Sequence, residues 1–415
     1  MDINNFITNI DDNIADDSDN SDNNEANDII INGAMETTFS RKLSVSDIFD
    51  CSDINNFIST IRQVLPFKGF SMSKFFTCEF QGTKFLTKLC FYRKTPPEIY
   101  SKPDKKRESI PWVDAEIRIL TIFKEKIIEK RISPCILELV YYKICNNLSK
   151  FTPREKLCER LMLEYHEQNF DEDVEQLFCK YNDLIKNQLA HNKCAFLVLE
   201  KCDMALEDYL KKSINTPVSL AVFKSLLFQI IYTFYAICKI YPNFRHYDLH
   251  TDNIMLRFDP SYKFKATNPK FLIYYIDGEV YSIPYFGIIP KIIDFGFSVI
   301  PEENIISNAT DDKVLMYYRS HNDLLMLFHH IHHVLAAVDQ GKVARVDKIL
   351  SALEPNRTYI HFNTEYIRKI EDILPSYESM VHNNIFREYR KYTVPKAQIY
   401  DEFGTEADIK KSRAS

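Results

Sequence analysis

The stretch Arg245-His246-Tyr247-Asp248-Leu249-His250-Thr251-Asp252-Asn253 decides the fold of this 415-residue chain. It follows the long apolar segment Val218 to Tyr241 and precedes Ile254, Met255 and Leu256, so carboxylates, an amide and two histidines sit between buried elements. Buried polar groups are costly unless partnered, and packing alone does not recruit them. A second polar knot, Asp294-Phe295-Gly296, stands behind the apolar pair Ile292-Ile293.

Outward from these knots, the N-terminal half reads as strands around one helix. Phe75 to Phe80, a Gln81-Gly82-Thr83 turn and Lys84 to Tyr92 form a hairpin pattern. Side chains alternate along a strand, so Lys88 shares a face with Leu86 and Cys90. Pro111 opens a helix to about Lys130, whose stripe Trp112, Glu116, Leu120, Phe123 and Ile127 recurs every three to four residues. Glu116 thus lies on the apolar face, where a carboxylate needs a partner, and Lys88 is the candidate. A lysine in a strand is otherwise an ordinary edge residue with its charge in water, and only Glu116 argues against that reading.

A weaker helix is expected over Val45 to Leu65, and strands over 132–145 and Ala195 to Leu199. Thr152-Pro153-Arg154-Glu155 fits a capping box, and Asp171 begins a second amphipathic segment, so 150–190 reads as a helical hairpin. Val218 to Tyr241 is apolar nearly all round, as in a helix at the centre of a domain. Phe271 to Tyr275, Asp277-Gly278 and Val280 to Tyr285 form another hairpin pattern, and Asp323 starts the helical run Leu324 to Ala336.

Composition bounds the function classes. Residues 1–40 hold eight Asp, two Glu and no Lys or Arg, a charge of -10; the whole chain carries -6, which leaves +4 for the rest. The Asn/Asp-rich leader has too little apolar surface to order itself. The basic cluster Lys102 to Arg107 is too small to argue for nucleic acid. Ser225 to Cys238 is uncharged for only 14 residues, short of the ~20 that span a bilayer. The ten cysteines show no CxxC and read as reduced, mostly buried thiols of a cytoplasmic protein.

Transfer of a γ-phosphoryl group needs a metal to neutralise charge, a lysine on the phosphates and a carboxylate to orient the attacking hydroxyl. His246-Tyr247-Asp248-Leu249-His250-Thr251-Asp252-Asn253 resembles the protein kinase catalytic loop H-x-D-L-x-x-x-N. Lys291-Ile292-Ile293-Asp294-Phe295-Gly296 resembles the metal-binding D-F-G, Phe85-Leu86-Thr87-Lys88 resembles V-A-I-K, and Glu116 falls at the helix C glutamate. The resemblance covers about residues 65–340 and is closest to the serine/threonine kinases of large cytoplasmic DNA viruses, the iridovirus, giant-virus and poxvirus late type. The D-L-H-x-x-N spacing is similar to haspin-like and aminoglycoside or choline kinase-like enzymes.

This resemblance implies an α+β, bilobal protein kinase-like fold. A small β-rich N-lobe with one long helix spans 46–200, with a helical insertion at about 147–192; a larger, mainly helical C-lobe spans 201–395. The leader 1–45 and a polar tail, 396–415, flank them. ATP and Mg2+ are the implied cofactors, and protein substrates are the implied partners. Asp248 is the implied catalytic carboxylate. Asn253 and Asp294 would hold magnesium, and Lys88, paired with Glu116, would contact the phosphates. Gly69 stands where the glycine-rich loop begins, the backbone of Glu200 to Cys202 would meet adenine, His250 would face the phosphates, His246 would pack on Phe295, and Asp323 would anchor the catalytic loop.

Several positions depart from the pattern. Gly69-Phe70-Ser71-Met72-Ser73-Lys74 keeps one glycine of G-x-G-x-x-G, and Tyr247 replaces the arginine that reads activation-loop phosphorylation, so that control is expected to be absent. Only 29 positions separate Asp294 from Asp323, with no A-P-E, which leaves a scaffold or a small-molecule kinase as alternatives. His329, His330, His332 and His333 have spacings able to grip a metal, with ordinary helix packing the plainer reading. Thr251 and Asp252 read as loop residues or a local cap. Action in a host cytoplasm, and packaging in a virion, are further implications of the viral resemblance.

Overall fold

The computed structural model describes residues 51, 55–65, 73–80, 83–94, 109–148, 174–214, 217–308, 322–354, 376–390 and 394–414. The acidic leader, Gly69, the Gln81-Gly82 turn and the first half of the insertion lie outside them. The fold is α+β and kinase-like.

A short helix α1 (Asn55–Thr60) leads into a five-stranded antiparallel sheet of β1 (Ile61–Leu65), β2 (Ser73–Phe80), β3 (Thr83–Arg93), β4 (Leu139–Asn146) and β5 (Ala190–Leu199), in the order β1-β2-β3-β5-β4. Helix α2 (Trp112–Phe123), extended by a π turn at Lys124–Ile128, covers one face, and helix α3 (Val174–Lys186) covers the other. The period of two explains both layers. Phe85, Leu89 and Phe91 of β3 pack with Phe57, Phe178 and Tyr181, whereas Cys90 and Tyr92 point into the core shared with α2. Tyr181 stacks on Phe91, with ring centroids 3.4 Å apart. Each such apolar side chain contributes roughly 1.5–3 kcal/mol on burial.

The second half is organised by three elements in sequence: β6 (Met204–Ala205), α4 (Leu206–Ser213) and α5 (Pro217–Ile240). Helix α5 is long and apolar enough to cross a membrane, but 83% of its Ser219–Ile240 window is buried inside the protein, so its hydrophobicity serves packing. Strands β7 (Ile254–Phe258), β8 (Lys270–Ile276), β9 (Glu279–Tyr285) and β10 (Ile288–Ile292) follow. β7 lies between β10 and β6 and carries the Arg245–Asn253 loop on its N-terminal side; β10 carries Asp294 on its C-terminal side. The two polar knots therefore adjoin because their strands are paired. β11 (Val299–Ile300) and β12 (Ile305–Ile306) make a small ladder beyond them, and α6 (Asn322–Ala336), α7 (Gln340–Leu353) and α8 (Tyr377–Val381) complete the helical layer.

Hairpin β8–β9 turns through Asp277 (φ 54°) and Gly278 (φ 94°), the left-handed pair that a type I′ turn requires. Its other edge takes up the C-terminus. Strand β13 (Ile399–Phe403) pairs parallel to β8, and helix α9 (Glu406–Ala414) follows, its Asp408 amide held by Thr405 Oγ1 at 3.1 Å. The expected polar tail at 396–415 is thus folded structure over its described residues, 396–414. The charged residues of β13 sit half-buried, while Phe403 packs against Tyr274, at 5.2 Å between ring centroids.

Two other expectations are corrected. Of the helix anticipated over Val45 to Leu65, Asn55–Thr60 is helical, Ile61–Leu65 is instead a strand because it pairs with the edge of β2, and 45–50 and 52–54 lie outside the described residues. Not all cysteines are reduced thiols: Cys51 and Cys145 form a disulfide across 94 positions, a partnership that spacing cannot reveal. Of the insertion, α3 is helical as expected, and 149–173 lie outside the described residues.

Because Phe403 anchors the C-terminal strand, Phe403→Ala is expected to cost about 3–4 kcal/mol. Urea unfolding measures it; an unchanged midpoint would mean that β13 is not part of the cooperative fold.

Candidate active site

Lys88 extends from the α2-facing side of β3 and is 2% exposed, as is Glu116 on α2. Its Nζ donates to both Glu116 oxygens at 2.8 and 2.9 Å and to Asp294 Oδ1 at 2.9 Å. The rings of Phe75 and Trp112 flank the ammonium at 5.5 and 5.7 Å. Burial would lower the lysine's pKa, but Asp294 and Glu116 outweigh it and hold the amine firmly charged. Burial raises Glu116, to about 7, against the pull of Lys88. Burial alone would also raise Asp294, and the same ammonium keeps it below its usual value.

The Arg245–Asn253 loop, which resembles a kinase catalytic loop, is held from below. Asp323 at the start of α6 accepts the amides of His246 and Tyr247, both at 2.9 Å. That clamp supports Tyr247 at φ 63°, a conformation a bulky residue adopts only where its surroundings impose it. Burial lifts Asp323 to about 6, opposed by those two amides. His246 is fully buried, and desolvation lowers its pKa. Its Nδ1 accepts from the Asp248 amide at 3.3 Å, so Nε2 carries the proton and donates to the Ile293 carbonyl at 3.0 Å. Phe295 lies between His246 (5.1 Å) and Phe123 of α2 (5.4 Å).

Asp248 is held by the amide of Asn253, whose Nδ2 donates to Asp248 O at 2.7 Å and to Oδ2 at 3.1 Å. Those bonds occupy the amide's donors and leave its oxygen as an acceptor. The Ile293 amide donates to Asn253 O at 3.0 Å, which brings Asn253 beside Asp294. An amide oxygen and a carboxylate are the hard oxygen donors that magnesium prefers, so the residues present fit that ion. His250 presents Nε2 to Asp248 Oδ2 at 3.7 Å, while its Nδ1 accepts from the Asp252 amide at 3.2 Å. Burial would lower the His250 pKa, but Asp248 raises it. Thr251 donates to Glu207 of α4 at 3.3 Å, a structural role.

No family model matches the chain. It is similar to two proteins of Acanthamoeba polyphaga mimivirus, each named "putative serine/threonine-protein kinase". One is 28% identical over 205 residues, covering 45% of this chain and 50% of the relative. The other is 32% identical over 114 residues, covering 27% and 23%. A Dictyostelium discoideum protein named "probable serine/threonine-protein kinase" is 35% identical over 126 residues, 28% of this chain and 10% of its own length. The chain spans half the length, or less, of these relatives. Kinase-named relatives join a structure in which lysine, helix glutamate and D-F-G aspartate meet. The chain is protein kinase-like.

In this kinase-like chain Lys88, Glu116, Asp248, Asn253, Asp294, His246, His250 and Asp323 come together, drawn from β3, α2, the catalytic loop, the β10 end and α6. Gly69 lies outside the described residues. The Glu200 carboxylate binds Lys291 Nζ at 2.7 Å, Arg257 at 2.9 Å and the Glu138 amide at 2.8 Å, while its own amide donates to Glu138 O. Cys202 is half-buried against the core. The histidines of α6 diverge: His330 faces the His250 ring at 5.3 Å, and His332 contacts Asp347 at 3.1 Å.

The kinase-like pattern left Lys291, Arg257 and Glu138 unnoticed. Lys291 was detectable by the signal that flagged Lys88, a lysine inside an apolar strand, since every residue of β10 is buried. Burial would raise the Glu200 pKa, but Lys291 and Arg257 hold it below its usual 4.5. A depressed carboxylate stabilises the fold above its unfolded pKa and loses that contribution as pH falls through the folded value. Glu200→Gln leaves buried Lys291 and half-buried Arg257 without their shared counter-charge and is expected to cost about 3 kcal/mol at neutral pH. The difference from wild type should shrink as pH drops below about 4.5, followed by chemical denaturation across pH.

Proposed function

We propose that this chain is a phosphotransferase that moves the γ-phosphate of ATP to serine or threonine hydroxyls of proteins. The observation that carries the reading is the buried contact of Lys88 with both Glu116 and Asp294, joined through Ile293 and Asn253 to an Asp248 held in a fixed position. Lys88, fixed by Glu116, is poised to hold the α and β phosphates of the nucleotide. Asn253 and Asp294 would hold magnesium, which when bound neutralises charge on the phosphates. Asp248 accepts the proton of the attacking hydroxyl, or orients it, and is half-exposed where an acceptor can reach it. The backbone of Lys201 and Cys202, beside the Glu200 ion cluster, is the proposed adenine edge.

A small-molecule acceptor is the second reading. It is favoured by His250, whose Nε2 faces the Asp248 carboxylate on the acceptor side. His250 there offers a neutral or cationic donor to an acceptor or phosphate oxygen.

Transfer of labelled γ-phosphate to proteins, and to the chain itself, tests both readings. Asp248→Asn should lower kcat at least 100-fold with nucleotide binding kept, the scale of a lost general base. Asp294→Asn should lose magnesium-dependent nucleotide affinity. Transfer by wild type no greater than by these variants would leave a kinase-like scaffold, and turnover with an amino sugar or choline alone would select the small-molecule reading.

A further inference from the structure

Helix α2 carries Glu116, yet it begins at Pro111, which has no side-chain acceptor for the helix's first amides. The acceptor comes from elsewhere. Asn308 Oδ1, in the segment following D-F-G, accepts the Trp112 amide at 2.9 Å. The same segment runs beside the helix entry: the Ile110 amide donates to Ile306 O and the Asn308 amide to Ile110 O, each at 2.8 Å, and Ile110 pairs with Ser307 as a parallel bridge. Ser307 Oγ donates to the carbonyl of Gly296, the glycine of D-F-G. A Cβ at Gly296 would lie 3.0 Å from Cε3 of Trp112, so the first residue of the helix rests directly on D-F-G.

These contacts close a ring. Asp294 binds Lys88, Lys88 binds Glu116, Glu116 rides on α2, α2 is capped by Asn308, and Asn308 is joined through Ser307 to Gly296, two residues beyond Asp294. The links at Asn308 and Ser307 are uncharged hydrogen bonds, formed without any phosphate. We propose that Asn308 is a positioning residue: it caps α2 from the segment after D-F-G and so keeps Glu116 within reach of Lys88 in the unphosphorylated chain. This device supplies what Tyr247 cannot, since a tyrosine at that position has no cationic group to read a phosphorylated segment. The inference rests on the phosphotransferase reading only for its effect on catalysis; the capping itself does not.

The test uses the full chain with Asn308→Ala and Asn308→Asp. Hydrogen exchange of the amides at 112–116 should speed about fivefold in Asn308→Ala, the effect of losing one helix cap. Asn308→Asp keeps an acceptor at the positive helix end and should restore protection. Exchange in α5 should not change, which separates local uncapping from general loosening. Under the phosphotransferase reading, kcat/KM for ATP should fall by at least the same factor in Asn308→Ala and return in Asn308→Asp, and phosphatase treatment of wild type should leave its rate unchanged.

Wild-type protection at 112–116 in Asn308→Ala, an equal rise in α5, no rescue by Asp, or a wild-type rate abolished by phosphatase would each overturn the proposal. If wild type transfers no phosphate at all, the phosphotransferase reading fails and the exchange measurements alone decide the role of Asn308.

Discussion

The rest of the structure depends on one buried ammonium, Lys88, and the two carboxylates that share it. Burying a lone charge costs several kcal/mol, and attraction offsets that only when geometry is good and the remaining donors are used. Lys88 directs its hydrogen bonds to Glu116 on α2 and Asp294 beyond β10, so three distant parts of the chain are fixed by a single side chain. Removing Lys88 would leave two facing carboxylates without their shared counter-charge. The arrangement is therefore a constraint on the relative placement of sheet, helix and loop, as much as a set of functional groups.

A second, separate ion cluster serves the opposite purpose. Glu200 stands where the five-stranded sheet gives way to the helical layer, and it binds Lys291 of β10, Arg257 of β7 and the amide of Glu138. Its contacts bind the crossover between the two halves to the strands that flank the two polar knots. Glu116 and Asp294 share one ammonium, that of Lys88, whereas the Glu200 carboxylate is shared among two cations and a backbone amide. Two buried acids with similar surroundings in the sequence thus have different roles, set by what surrounds them in space.

Two of the seven described non-glycine residues with positive φ lie where the function is proposed. Tyr247 and Asp294 both adopt left-handed backbone conformations, at φ 63° and 60°. Asp323 offsets the first through two amide hydrogen bonds, and the Lys88 contact fixes the second. Away from the site, the hairpin β8–β9 and the C-terminal strand β13 add a sheet to the helical half. There the Asp277 amide is taken by Asp408, and Tyr235, Lys239 and His382 converge on the Asp277 carboxylate. That cluster welds the chain terminus onto α5.

Much of this was legible in the sequence because local rules determine it. Period-two and period-3.6 patterns located the strands around Lys88 and the stripe bearing Glu116, and the cost of a carboxylate on an apolar stripe was enough to pair the two. The fixed spacing between Asp248 and Asn253 let the amide reach back to the carboxylate within one loop. Tertiary structure alone decided the rest. Nothing local tells a charged C-terminal segment that an open edge of β8 awaits it, or Cys51 that Cys145 is near. Glu200 meets Lys291 and Arg257 only in the fold, and Asn308 becomes a helix cap only where the chain returns beside Trp112. Hydrogen bonds and ion pairs between distant segments leave no period in the sequence, because their partners are chosen by the fold.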